Sequence, residues 1–417
     1  MSQNPATFMN SHHPLRPWHP SETGLRYSKQ IYLDNNSTTA ISDVAIEAIQ
    51  KCWEAGLANP ASQHQTGQSC SRTLNQASDS ILQSLDAATE RFPADRLLWT
   101  SCGTEANNLV LFGRCMDERG SIRPGNIVLS GIEHPSVSFA AQHLAAMGMD
   151  VRIADVDKNG IVSVAHLASL VNKSTLAVSV MLANNETGVI QPVQEIAELC
   201  RTKDVFCHTD AVQAVGKINV SFSELGVDAL TFAPHKLHGP VGIAGLILKP
   251  TVQLQPRLWG GFQQEGLRPG TENVALAAGA AATLAWYLAN KDSHREHLVR
   301  LRDQFETSLL EAIPDAVVIG GQANRLPQTS CIAFPGIDRQ AFALAADVAG
   351  IACSTGSACA SGSSDPSPVL QKMNLPTAWV NAALRFSFGL FNQLQDANEA
   401  AQRISLLHSK LRSRNGT

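Results

Sequence analysis

The sequence predicts an α/β fold: a mostly parallel central sheet with helices on both faces, followed by a smaller α+β domain. Three observations carry this prediction. From about residue 95 to 250, short apolar runs alternate with helix-period stretches, the pattern of βα units. The run Leu176 to Leu182 (LAVSVML) is rich in β-branched residues and shows no polar alternation, as a strand buried on both faces does. From about residue 270 the pattern changes to two long helical stretches followed by shorter strands.

The elements follow in order. Leu97 to Thr100 reads as a short buried strand and Glu105 to Glu118 as a helix. Asn126 to Ser130 is a strand, 136–147 a helix, and Val151 to Ala154 a strand. After the strand at 176–182 come a helix over 193–203 and the strand Val205 to His208. Asp228 to Ala233 and Ile243 to Leu248 complete the sheet. The smaller domain begins with helices over 274–290 and 294–311. Strands follow at 317–319, 330–334 and 384–388, with a last helix over 393–412. The N-terminal segment is expected to pack with this domain. Ser354 to Ser364 is rich in Gly and Ser and reads as a loop between ordered flanks, a common place for function.

Composition excludes several classes. The 417 residues are enough for two or three domains at ~150 residues each. With 44% hydrophobic and 16% charged residues, a large core is expected and general disorder is not. The balance of 32 Lys+Arg against 36 Asp+Glu argues against direct nucleic-acid binding. No apolar run reaches the ~18 residues of a membrane span, so no membrane association is expected. Residues 1–29, with four prolines and no basic start or apolar stretch, read as a flexible leader rather than a secretory signal. The nine cysteines are odd in number and form no CxxC pair. A disulfide scaffold or a Cys-based metal site is therefore not expected, and a reducing cytoplasm fits best.

Lys236, in Ala233-Pro234-His235-Lys236-Leu237-His238-Gly239-Pro240, follows a strand and precedes a Gly/Pro turn. That places it near the carboxyl edge of the sheet, where open α/β sheets bind ligands. Asp210 caps a short apolar strand 26 residues earlier. It suits either an N-cap or the carboxylate partner of a protonated pyridine nitrogen. Gly103 and Thr104 lie between a strand and a helix, where close backbone approach and free N–H groups can cradle a phosphate. The chain has no GxGxxG after a strand and no GxxxxGK[ST], so a dinucleotide or P-loop reading lacks support.

These motifs resemble those of fold-type I pyridoxal phosphate (PLP) enzymes of aminotransferase class V, specifically the cysteine desulfurases. The resemblance spans about residues 31–412. It also rests on Tyr32-Leu33-Asp34-Asn35 with Thr38-Thr39, Asn59-Pro60-Ala61-Ser62, Glu133-His134, Asn184 to Gly188 and Gly266 to Asn273. It implies the PLP-dependent transferase fold. Residues 30–270 would form the N-terminal segment and large PLP-binding domain, and 271–417 the small domain carrying a catalytic cysteine loop. Lys236 would hold PLP covalently, Asp210 would pair with its ring nitrogen, and Gln213 would contact its phenolic oxygen. His134 would stack on the ring and accept the substrate thiol proton, with Asn185 beside the ring. Gly103, Thr104 and His235 would hold the phosphate, with Thr271 reaching in from the other protomer of a homodimer. Arg385, helped by Asn35, would grip the substrate carboxylate. Its planar charged fork suits that task.

Cys359 sits in the Gly/Ser-rich loop with no large apolar neighbour in sequence. A free thiol is only a few per cent ionised near pH 7, so a catalytic role needs activation. The GSAC motif resembles the desulfurase loop that carries the persulfide-forming cysteine. The implied reaction converts L-cysteine to L-alanine and leaves sulfur on Cys359 for an acceptor protein, as in iron–sulfur cluster assembly. A selenocysteine lyase or another class V PLP lyase is an alternative, as is a non-catalytic sulfur-relay subunit. The chain departs from the family pattern where Ser-Gly usually precedes the His-Lys pair. Ala233-Pro234 stands there, which removes a phosphate-binding hydroxyl at about 1 kcal/mol. Glu265 stands where an Arg is common and Pro269 where a Ser is common.

Overall fold

The structure is a computed structural model and describes residues 30–90, 92–356 and 365–415. The leader at 1–29 and Cys359 lie outside the described residues. The chain begins with β1 (Ile31–Tyr32), α1 (Asp43–Glu54), α2 (Gln65–Ser84), β2 (Arg96–Thr100) and α3 (Gly103–Cys115). Then come β3 (Asn126–Ser130), α4 (Pro135–Ala146), β4 (Asp150–Ala154), α5 (Val164–Leu170), β5 (Thr175–Ser179) and α6 (Val193–Thr202). β6 (Cys207–Asp210), α7 (Phe222–Leu225), β7 (Ala229–Phe232) and β8 (Ala244–Leu248) finish the large sheet. The remainder is α8 (Val274–Ala289), α9 (Lys291–Ala312), β9 (Val317–Val318), β10 (Thr329–Ala333), α10 (Arg339–Val348) and β11 (Ile351–Ala352). α11 (Pro368–Lys372), α12 (Thr377–Val380), β12 (Ala383–Ser387) and α13 (Leu394–Asn415) end it.

Among the described residues, seven strands form one sheet in the order β2-β8-β7-β6-β5-β3-β4. β7, β6, β5, β3 and β4 pair in parallel. β8 runs against both of its neighbours, so β2 again shares the direction of β7. Both faces are covered, and the period-2 alternation of strands sorts the side chains between them. Leu98, Ile127, Leu129, Ala177, Leu246 and Leu248 pack with α3 and α4 in one cluster. Trp99, Val128, Val178, Leu230 and Ile247 pack in the other, with α2, α5, α6 and α8. The helix α8 is apolar around its whole circumference and lies against α1 and α2. A Cβ on Gly279 would sit 2.7 Å from Ile49, so the close approach of α8 to α1 requires glycine there.

The C-terminal part carries a second, antiparallel sheet, β12-β10-β9. Phe305 of α9 packs on Phe386 and Phe388 beside it. The N-terminal segment does join this region. β1 pairs in parallel with β11, and Asp34 bridges to Ser387. The stretch 32–40 therefore runs from the small sheet back across the edge of the large one.

The structure refines several boundaries. The strand read over 176–182 has its ladder at β5, yet Val180 N–H still donates to His208 O, and Leu182 N–H to Asp210 O. The strand read at 205–208 is shifted to β6, so Asp210 is its last residue.

Candidate active site

Strands β2, β3, β5, β6 and β7 all point their carboxyl ends to one edge. The order reverses there, because the chain runs from β3 outward to β4 and then back to β5 on the other side. His134 follows β3, Asn185 lies beyond β5, Asp210 ends β6, and Lys236 follows β7. The N-terminus of α3, with Gly103 and Thr104, follows β2. Over them crosses the segment 34–40, and β12 supplies Arg385.

Lys236 ends a single 3-10 turn, Pro234–Lys236. Its Nζ donates to Asn36 O and Ser37 O, both at 2.6 Å. The surrounding turn is fastened to the same segment. Thr39 N–H and Oγ1 donate to His235 O at 3.0 and 2.9 Å. His238 N–H donates to Thr39 Oγ1 at 2.7 Å. His238 adopts a φ of 69° and is buried, with Nε2 accepting from Leu390 N–H and Nδ1 therefore donating to Ala40 O. His235 Nδ1 lies 3.1 Å from Thr38 Oγ1. Burial, with Lys236 and Lys217 nearby, pushes His235 down to about 4, so its ring is neutral near pH 7.

Asp210 accepts from Asn107 Nδ2 at 2.7 Å and from Val212 N–H at 2.9 Å. Asn107 also reaches Ser136 Oγ at 2.9 Å, and Ser136 Oγ lies 2.8 Å from His134 Nδ1. Gln213 Nε2 donates to Asn36 O at 2.9 Å, so one carbonyl serves both Gln213 and Lys236. Asn36 is buried and donates from Nδ2 to Asn185 O at 3.1 Å and to Thr329 Oγ1 at 2.9 Å.

Arg385 is 4% exposed, so its guanidinium lies in the interior and not on the surface. Its Nη2 donates to Asp34 Oδ1 at 2.5 Å and Ser37 Oγ at 3.0 Å, and its Nη1 to Asn185 O at 3.1 Å. Ser37 thus bridges Lys236 through its carbonyl and Arg385 through its hydroxyl. Two further buried groups face the site electrostatically. Burial pushes Glu133 up to about 8 and Lys217 down to about 7; Lys236 and Arg385 add to the second effect.

The Asn35 amide is committed elsewhere, donating to Ser387 O at 2.9 Å and Tyr32 O at 3.3 Å. The inward position belongs to Asn36. Thr271 is exposed in the loop before α8. Glu265 forms an ion pair with Arg96 at 2.5 Å, and Arg268 pairs with Glu105 at 2.9 Å, so the Gly266–Asn273 motif is tied to the motif that opens α3. Asn36, Ser37, Asn107 and Ser136 escaped the sequence reading as site residues. Each sits one to three residues from a flagged position, and only the fold shows which neighbour points inward.

The residues present fit PLP. Asp210 ends its strand as a hydrogen-bonded carboxylate able to pair with a ring nitrogen. Gln213 Oε1 is buried without a partner among the described residues. The first turn of α3 has no side-chain cap, and a Cβ on Gly103 would meet Val212 at 3.2 Å. A buried orphan oxygen and an uncapped helix start are what a bound ligand would satisfy.

Comparison with known proteins agrees with this arrangement. The sequence profile of the aminotransferase class-V family matches residues 31–399. The cysteine desulfurase IscS of Dictyoglomus turgidum is 33% identical over 385 residues, covering 92% of this chain and 96% of that one. The cysteine desulfurase NifS of Azotobacter vinelandii is 34% identical over 385 residues, covering 92% and 94%. The solved structure of a NifS-like protein from Rickettsia africae superposes with a TM-score of 0.81 at 28% identity, covering 91% of this chain and 99% of that one. The sheet order, the residues gathered at its carboxyl edge and these matches lead to one conclusion: the chain belongs to the aminotransferase class-V family, whose cysteine desulfurases are PLP-dependent enzymes.

Proposed function

We propose that this protein is a PLP-dependent cysteine desulfurase that converts L-cysteine to L-alanine and passes the sulfur through Cys359 to an acceptor protein. The observation that carries this reading is the convergence on Ser37. An amine suited to covalent cofactor attachment and a buried guanidinium suited to a carboxylate meet on one residue. Similarity to relatives named cysteine desulfurase over nine-tenths of the chain supports the substrate.

PLP, when bound, supplies an electron sink that acidifies the substrate Cα–H and loosens the Cβ–S bond. Lys236 holds the cofactor and, once its amine is free, takes the Cα proton at Nζ. Asp210 keeps the ring nitrogen protonated, held in place by Asn107 and Val212. Gln213 meets the phenolic oxygen, and His134 and Asn185 flank the ring. Thr104, the N–H groups at Gly103 and His235 hold the phosphate, with Thr271 supplied by the other protomer. Arg385 grips the substrate carboxylate by its fork. Its Nε–H is buried and unpartnered among the described residues. The Cys359 thiolate attacks the substrate sulfur. The Cβ–S bond breaks with its electron pair left on carbon, and protonation there gives alanine while Cys359 keeps the persulfide.

A homodimer is part of this proposal. Leu258, Trp259 and Phe262 lie on the segment preceding Thr271 and are strongly exposed, Trp259 at 83% and Phe262 at 94%. Side chains of this size exposed together mark an association surface. The persulfide chemistry needs Cys359 as a free thiol, which a reducing cytoplasm maintains. Among the described residues no helix is long and apolar enough to cross a membrane. An acceptor protein of iron–sulfur assembly fits the relatives' names.

The test is sulfur transfer by the PLP-loaded protein. L-cysteine should yield equimolar alanine and a persulfide mapped to Cys359. Cys359→Ser should keep the cofactor absorbance and lose the persulfide. Persulfide formation at the wild-type rate in that variant would remove Cys359 from its role.

A further inference from the structure

Ser136 takes no part in the chemistry above and Asn107 enters it only as a support of Asp210, yet together they connect Asp210 to His134. Asn107 Nδ2 lies 2.7 Å from Asp210 Oδ2 and 2.9 Å from Ser136 Oγ, and both Asn107 and Ser136 are buried. A carboxylate only accepts hydrogen bonds, so the amide edge facing Asp210 is the NH2 group and its orientation is fixed. The second amide hydrogen then goes to Ser136 Oγ. That hydroxyl keeps its own hydrogen for His134 Nδ1, 2.8 Å away. Ser136 N–H also donates to Nδ1 at 3.1 Å, with His134 acting as the N-cap of α4. A backbone N–H can only donate, so Nδ1 must offer a lone pair.

We infer that the chain Asp210–Asn107–Ser136–His134 fixes His134 as the Nε2–H tautomer, so that this residue presents a proton, not a lone pair, to the bound substrate. Asn107 and Ser136 are positioning residues in this scheme. Two donors on Nδ1 oppose its protonation. Burial, with Lys236 from the turn after β7 and Arg385 from β12, also opposes the imidazolium, while Asp210 from β6 favours it. The sequence-based expectation that His134 accepts the substrate thiol proton is thereby replaced. His134 Nε2–H donates to the substrate sulfur and favours its thiolate, and the thiol proton leaves to water. The consequence for sulfur rests on the desulfurase reading; the tautomer does not.

The tautomer is measurable in the cofactor-free protein. Long-range 15N–1H correlation spectra of 15N-histidine-labelled protein near pH 7.5, with His134→Gln identifying the signal, should show Nε2 protonated and Nδ1 bare. Ser136→Ala removes one donor to Nδ1, so the midpoint of His134 protonation should rise by roughly half to one pH unit. Ser136→Thr, which keeps the hydroxyl, should leave it in place. Asn107→Leu should move it in the same direction as Ser136→Ala by a smaller amount. A wild-type Nδ1–H tautomer would overturn the inference even if every variant failed to fold. An unmoved midpoint in Ser136→Ala or Asn107→Leu would remove that residue from the chain. If the tautomer is as inferred but the PLP-loaded protein leaves L-cysteine intact, the desulfurase reading fails and the tautomer stands.

Discussion

Replacing Arg385 by Met separates the two tasks assigned to this residue. The structure gives its guanidinium a structural partner, Asp34, at 2.5 Å, and two neutral acceptors, Ser37 Oγ and Asn185 O. Removing one member of a buried ion pair costs about 3–5 kcal/mol. The Asp34 side chain keeps 21% exposure, so water relieves part of that penalty and we expect about 2–3 kcal/mol. Urea unfolding of the cofactor-free protein reads this term directly. The substrate term is separate. Losing a charged hydrogen-bond donor to the carboxylate removes about 1.5–3 kcal/mol, which raises KM for L-cysteine roughly 10- to 150-fold. Adding Asp34→Asn should recover most of the stability, because no carboxylate is then left unpaired. It should recover none of the KM. If KM is unchanged in Arg385→Met, or returns to the wild-type value in the double variant, Arg385 only holds the N-terminal segment and the substrate carboxylate is bound elsewhere.

Other perturbations test the fold and its electrostatics. Gly245→Ala places a Cβ 2.2 Å from the ring of the buried Phe232. It should destabilise the protein by about 1–3 kcal/mol through overpacking, read as a lowered urea midpoint with an unchanged slope. Glu133 keeps its proton up to about pH 8 in the folded chain, against 4.5 for the free group. The unfolded state therefore gains on the folded one as pH rises from about 5 to 8, and stability falls across that window. Glu133→Gln, uncharged throughout, should flatten that fall when urea midpoints are compared at pH 5.5 and 8. An equal fall in the variant would assign the effect to another group.

The large sheet was legible because its strands are short, apolar and bounded by helix-period stretches. Asn126–Ser130 coincides with its predicted span for that reason. Strand direction was not legible. Ala244–Leu248 reads like its neighbours but runs against them, and composition carries no information on direction. The helices over 43–54 and 65–84 were not read. The second presents Gly67, Cys70, Leu74, Ala77 and Ile81 to the core. That spacing is helical, but the residues are mostly small and give little apolar signal. The site shows the same division. Lys236 and Asp210 were visible as strand-end chemistry, whereas His134 entered only through the resemblance to the family. The choice of Asn36 over Asn35 depends on a segment that crosses between two sheets. The link from Asn107 to Ser136 joins two helices 29 residues apart in sequence. Such contacts are made by the fold, and no local pattern encodes them.

The central claim is that the amine of Lys236, gathered with Asp210 at the carboxyl edge of the sheet, is the attachment point of PLP. Borohydride reduction of the PLP-loaded protein, followed by digestion and peptide mapping, tests it most directly. A pyridoxyl group on Lys236 alone is the expected result. A label on Lys217, a buried lysine near the site, or on any other residue, would contradict it.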